Sequence, residues 1–226
     1  MPYPQLAVTV DVAIFRLIGR ALHVALIHRD TPPFSGALSL PGGFVRGQED
    51  TTLEDAARRV LTDKTGVSTP YLEQVASFGD ATRDPRGWSV SIAYMALVRP
   101  ETEVAEITPR GGDLIWHSVD EEALPAPLAF DHDRILGAAI RRLRDKVEYS
   151  SLPAHLLPEH FTLPELQAIY ENLIGRSLDK SAFRKRMAEA DFVEPVEGVK
   201  RAASHRPPQV YRLKDEARPV LFNRSL

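Results

Sequence analysis

The stretch LPGGFVRGQEDTTLEDAARRVLTDKTGV, Leu40–Val67, constrains the fold of this chain more than any other. Near its start stands the glycine pair Gly42-Gly43. Beyond a polar loop, Leu53, Ala56, Ala57, Val60 and Leu61 recur at the spacing of one helical face. Gly66 follows where a helix can end in the left-handed conformation. The pattern predicts a loop–helix–loop with its helix over about Thr52–Thr65. Such an apolar stripe must be covered by another layer of structure.

Neighbouring segments supply that layer. LAVTVDVAIF (Leu6–Phe15) and ALHVALIHR (Ala21–Arg29) have strand periodicity, with Ile18-Gly19-Arg20 as the turn of a hairpin. DTPPFSG (Asp30–Gly36) reads as a loop. Strand-like runs follow at Tyr71–Phe78, Trp88–Val98 and Asp113–Val119, and a helix at Asp131–Val147 closes the unit. The order predicts an α/β unit over residues 1–150, with a mixed sheet flanked by helices. Within it, FDHDR (Phe130–Arg134) is either a polar contact near a pocket or, as we read it, a helix start capped by Asp131.

Glu148–His160 contains two prolines, breaks the pattern and is taken as a domain boundary. In the second unit, 151–226, Thr162 and Glu165 form a capping box, and Phe161 and Leu166 a hydrophobic staple. Leu166, Ile169, Tyr170 and Leu173 give the buried face of a helix that Gly175 ends. A second helix, about Lys180–Ala190, is capped by Asp179. It buries Phe183, Met187 and Ala190 and turns Ser181, Arg184, Lys185 and Ala188 outward, with Lys180 at its start. Two short strands then flank the basic loop VKRAASHRPP. From Arg176 to Lys214 there are ten Lys and Arg against five Asp and Glu, in a chain whose net charge is −3. Helix, turn, basic helix and hairpin is the layout of a winged helix-turn-helix, which points to double-stranded DNA. Ser181, Arg184 or Lys185 would read base edges. Lys200, Arg201, His205 and Arg206 in the loop would reach phosphates. The alternative is a small helical dimerisation or lid domain with a solvated charged helix.

Other classes are excluded or disfavoured. The chain has no cysteine, which removes disulfides and thiolate metal sites and is compatible with the cytoplasm. No apolar run approaches the roughly 18–20 residues of a membrane helix. The N-terminus carries no secretion signal that we can read. The histidines show no paired helical spacing that would suggest zinc.

Gly42-Gly43, Glu49, the Ala56-Ala57-x-Arg59 helix and Thr65-Gly66-Val67 resemble the Nudix box, G-x5-E-x7-R-E-U-x-E-E-x-G-U. The resemblance implies an α/β/α sandwich on which helix carboxylates hold divalent metal against a nucleoside diphosphate linkage. It also implies an ion pair between Glu49 and Arg59. Here the spacer from Glu49 to Arg59 is two residues longer, and Val60 and Lys64 replace two of three acids on the metal-facing side. Only Asp63 remains. Lys64 repels a dication, so we expect no catalytic residue, no metal and no hydrolase activity. Binding need not vanish with catalysis. The glycine loop can bring backbone N–H groups toward phosphates near a helix start, and Lys64 can pair with a pyrophosphate.

A second resemblance spans nearly the whole chain. Ser39–Arg46, Arg83–Val98, Leu128–His132, Leu156–Glu171 and AFRKRM followed by RPPQVYRL are similar to the NrtR family, Nudix-related transcriptional regulators of NAD metabolism. It implies a homodimeric repressor that binds operator DNA of NAD biosynthesis or salvage genes. It further implies ADP-ribose or a related nucleotide as effector, with no other cofactor and no membrane partner. Ligand contacts implied are Arg46, Lys64, Arg83 and Arg86, with Phe44 or Trp88 to stack on a base, beside Gly42 and Gly43. For Arg83 and Arg86, flanking Pro85, a turn role is the alternative. Rival readings are an active ADP-ribose pyrophosphatase and a regulator of the same build that senses another metabolite, such as a sugar.

Overall fold

A computed structural model describes residues 6–69, 71–102, 114–119, 127–199, 207–216 and 218–223. In chain order the first unit contains β1 (Ala7–Ile18), β2 (Ala21–His28), β3 (Leu38–Ser39), β4 (Gly42–Phe44), α1 (Leu53–Thr65), β5 (Leu72–Asp80), β6 (Ser89–Leu97), β7 (Leu114–Ser118) and α2 (His132–Val147). The second contains β8 (Phe161–Thr162), α3 (Leu163–Ile174), α4 (Lys180–Ala190), β9 (Val193–Pro195) and β10 (Val210–Leu213).

The pleat of β1 decides where both helices of the first unit go. Its side chains alternate between faces. Ala13, Phe15 and Leu17 enter one core, and Val10, Val12 and Ile14 enter another. Helix α2 covers the first with Ile135, Leu136, Ala139 and Leu143. Helix α1 covers the second with Ala56, Ala57, Val60 and Leu61. The result is the expected α/β/α sandwich, built on a seven-stranded mixed sheet with the path β3-β2-β1-β6-β5. Strand β1 lies parallel to β6 and antiparallel to β2 and β4. From Val10 to Phe15 it is buried on both faces, and there the alternation gives way to an apolar run broken only by Asp11.

Local chemistry sets the helix ends. Thr52 and Asp55 form a capping box for α1, and Gly66 ends it at φ 69°. Thr162 and Glu165 do the same for α3, and Asp179 caps α4. The Phe161–Leu166 pair meets in the second unit's core with Tyr170, Phe183, Met187 and Phe192. Strand β8, absent from our reading of the sequence, completes a three-stranded sheet in the order β8-β10-β9. The two-residue strand is too short to leave a periodic signal.

The segment Glu148–His160 is packed. Leu152 and Leu156, in a buried 3₁₀ turn, belong to the first unit's core, while Ala154 and Leu157 belong to the second's. A later stretch returns to the same place. Leu221 bridges Ser150, Phe222 N–H donates to the Tyr149 carbonyl at 2.7 Å, and Ser151 N–H donates to Val220 at 2.9 Å. Among the described residues no helix is long and apolar enough to cross a membrane.

Candidate ligand cleft and nucleic-acid interface

A cleft of about 270 Å³ opens where β1, the end of β2, the β3–β4 loop, the outer face of α1 and the segments 83–86 and 130–132 converge. Six Lys and Arg and four Asp line it, which places several guanidinium and ammonium groups within reach of an anion. That volume is near the lower limit for small-molecule sites, so a larger ligand would occupy the open mouth as well.

The glycine pair acts by close approach. A Cβ on Gly42 would stand 1.9 Å from Asp11 Oδ1, and one on Gly43 would stand 3.1 Å from Val60 Cγ2. The loop is not a phosphate cradle at a helix start, as the sequence suggested. Gly42–Phe44 pair with β1 as strand β4, and α1 begins only at Leu53.

On the cleft face of α1, Arg59 is held by Asp50 and not by Glu49. Its Nε donates to Asp50 Oδ1 at 2.7 Å, its Nη2 to Asp50 Oδ2 at 2.8 Å and to the Phe44 carbonyl at 2.9 Å. Glu49 pairs with Arg46 at 2.7 Å. The longer spacer explains the exchange, since it moves Glu49 back and leaves Asp50 facing the guanidinium. The hydrogen bonds from Arg59, opposed by desolvation, hold the Asp50 carboxyl down at about 2. Val60 is 2% exposed beneath the loop, and Asp63 lies 3.8 Å from Arg59. The Nudix fold implies a divalent ion on this face, but these residues do not fit one. The single carboxylate stands beside Arg59 and Lys64, and among the described residues no group of three His, Asp or Glu could hold a metal.

Arg83 lines the cleft, but its guanidinium serves as a buried brace. It donates to Asp131 Oδ1 at 2.9 and 3.2 Å and to Ser89 Oγ at 3.1 Å, and lies 3.7 Å from Asp11. Asp131 therefore makes no side-chain cap on α2, contrary to our reading of FDHDR. Two N–H groups of the guanidinium converge on Asp131 Oδ1, a charge-assisted pairing stronger than a bond from a helix N–H. Beside it, buried His132 accepts from Leu40 N–H at Nδ1, 3.0 Å away, which leaves Nε2 to face Asp11 at 3.4 Å. Burial, opposed by Asp11, pushes the imidazole pKa down.

The outer wall is aromatic and cationic. Phe130, at φ 58°, meets Phe34 edge-on at 4.9 Å. Arg29 lies 4.7 Å above the Phe130 ring, while Arg86 lies 5.8 Å from Phe130 and 5.3 Å from Phe44. Arg86 is paired with Asp84 at 2.7 Å. Of the residues named from the sequence, the structure brings together Gly42, Gly43, Phe44, Arg46, Lys64, Arg83 and Arg86. Trp88 is not among the lining residues and packs beside Gly79. Asp11, Arg29, Phe130 and His132 were not selected. Asp11 alone carried a signal, a lone charge inside an apolar strand, where burial demands a partner.

On α4, Phe183 and Met187 are buried, while Lys180, Ser181, Arg184 and Lys185 are exposed on the outer side. Lys185 lies 3.9 Å from Glu189 one turn on. Lys200, Arg201, His205 and Arg206 lie outside the described residues.

Comparison with known proteins covers both units. Residues 6–139 match the NUDIX domain family, and residues 153–213 match the NrtR DNA-binding winged helix domain. The chain is 45% identical over 224 residues to the ADPR responsive transcriptional repressor NtrR of Acinetobacter baylyi, covering 99% of this chain and 88% of that one. It is similar to the crystal structure of Shewanella oneidensis NrtR complexed with a 27mer DNA, with 39% identity, a TM-score of 0.86 and coverage of 97% and 99%. It is also similar to the NUDIX domain of Shewanella oneidensis NrtR complexed with ADP ribose, with 35% identity, a TM-score of 0.55 and coverage of 62% and 90%.

Proposed function

The chain belongs to the NrtR family, in which a Nudix domain precedes an NrtR winged helix, and on that premise we propose that it is a transcriptional repressor of NAD biosynthesis or salvage genes. It acts in the cytoplasm as a homodimer on operator DNA, and ADP-ribose or a related nucleotide in the cleft sets its affinity. One observation carries the reading. A relative aligned over nearly all of both chains is solved with DNA, and its Nudix domain alone is solved with ADP ribose. The cationic groups of the cleft and the exposed basic side of α4 agree with those two partners.

Helix α2 joins the two sites. Its first residue, His132, touches the cleft loop, and its last, Val147, belongs to the winged-helix core. Just beyond it, Glu148 faces Arg176 at 3.8 Å and the Ser150 carbonyl accepts from the buried Tyr170 hydroxyl at 2.7 Å. An effector lowers operator affinity by binding more tightly to the arrangement that does not fit DNA, and the coupling equals that difference. In the dimer, two α4 helices would meet half-sites about one helical turn apart. Titration of operator DNA with the full chain, with and without ADP-ribose, tests the reading. Affinity should fall when ADP-ribose is present; an unchanged affinity sinks the effector assignment.

Hydrolysis is not part of the proposed activity. The opposing observation would be turnover of ADP-ribose with Mg²⁺ that disappears in Asp63→Ala. Val60 and Lys64 on the cleft side of α1 predict no such turnover.

A further inference from the structure

Arg29 stands just beyond the end of β2, on the wall of the cleft. Its hydrogen-bond partners are neutral: Nε donates to the Pro33 carbonyl at 2.9 Å and Nη2 to the Thr31 carbonyl at 3.3 Å. The nearest carboxylates, on Asp11, Asp30 and Asp84, act on it only through space. Burial first, and then the like charge of Arg86, lower its pKa against the pull of those carboxylates, so Arg29 is held without a direct ion pair while Arg86 beside it is paired with Asp84. Both guanidiniums face the Phe130 ring, and Phe34 packs edge-on against that ring.

A guanidinium laid on an aromatic ring can offer its outer face to a further planar group. Stacking on that face suits a neutral or electron-rich base, as guanidinium planes do when they hold nucleobases. A cationic ring in the same place meets repulsion from Arg29, whose charge no carboxylate pairs directly, and a smaller repulsion from Arg86, offset by Asp84. We propose that Arg29, backed by Arg86, is a charge filter: the cleft accepts an adenosine diphosphate ester whose far end is neutral and disfavours one that ends in a pyridinium. The filter rests on the reading that ADP-ribose or a related nucleotide is the effector. It makes ADP-ribose a better ligand than the oxidised dinucleotide of the same adenylate half, although the latter offers more surface to bury.

NAD⁺ and NADH isolate the cause, because they share both nucleotide halves and the diphosphate and differ by the positive charge on the nicotinamide ring. Repulsion by a partly solvated cation at several ångströms corresponds to roughly three- to tenfold in affinity. Isothermal titration calorimetry on the full chain should show ADP-ribose and NADH binding more tightly than NAD⁺ by roughly that factor. Arg29→Gln should bring the NADH-to-NAD⁺ ratio close to one. Arg29→Lys keeps the charge while losing the bonds to Pro33 and Thr31, and should preserve the ratio. Should Arg29→Gln fail to fold, Arg86→Gln at the half-exposed neighbour should reduce the ratio in the same direction. Equal binding of NADH and NAD⁺ by the unaltered protein, with ADP-ribose bound, overturns the filter alone. So does a ratio that the neutral variants leave unchanged. No binding of any of the three overturns the effector reading itself.

Discussion

The cleft and helix α4 both gather positive charge, and they hold it in opposite ways. In the cleft, Arg59 is clamped by Asp50, Arg83 by Asp131, and Arg86 by Asp84, each through hydrogen bonds of 2.7–2.9 Å. On α4, Lys180, Arg184 and Lys185 stand exposed above a buried face. Fixed cations suit one small anion of defined shape, because the cost of ordering them is met when the protein folds. Solvated cations suit a polyanion, where displaced counterions supply affinity.

Substitutions can break this contrast, and the largest effect should come from the most buried brace. Arg83→Met leaves Asp131 and Asp11 buried without their cation and should cost about 3–5 kcal/mol of folding stability, read by urea denaturation. Arg184→Ala should leave stability within about 0.5 kcal/mol of the unaltered protein. It should weaken operator binding by about 1–3 kcal/mol if it reads a base, by fluorescence anisotropy. Lys185→Ala should lower the slope of log affinity against log salt by about 1, while ADP-ribose affinity is unchanged. Lys64→Ala should do the reverse, weakening ADP-ribose by about 1 kcal/mol on calorimetry with operator affinity intact in its absence.

The smallest effect concerns acid. Asp50 has a folded pKa of about 2, below its unfolded value, so the stability it contributes is complete above the unfolded value and is lost as pH falls toward about 2. Buried His132 has the same sign, since its folded pKa is lowered, and its contribution fades below about pH 6.5, where the unfolded imidazole takes up a proton. Denaturation midpoints measured against pH should therefore fall on the acid side. Asp50→Asn should flatten the part of that fall below about pH 4.

What the sequence disclosed follows from how local the cause was. Thr162 and Asp179 announce their helices because a cap and its target amide lie three residues apart, and Thr52 does the same although it was read only as a helix end. The outward face of α4 followed from helical spacing alone. The brace under the cleft joins Asp11, Arg83, Asp131 and His132 from three separate stretches, so no window of the sequence contains it. Glu49 was paired with Arg59 by family pattern, and the inserted residues handed that role to Asp50. Trp88 was offered, with Phe44, by the family resemblance, but the extended β6 that follows it carries it to the Gly79 side, while Phe44 lines the cleft. Phe130, which lines the cleft with Phe44, lay in a segment read only for its polar residues.

Helix α2 also has a mechanical consequence. Its 16 residues make a rod about 24 Å long at about 1.5 Å per residue. Its first residue sits among cleft residues and its last in the winged-helix core. On the proposed function, a tilt of about 5° at the cleft would sweep the far end through about 2 Å. Hydrogen bonds to base edges weaken well within that distance, so a small rearrangement around a nucleotide would be enough to cost register on DNA without unfolding either unit.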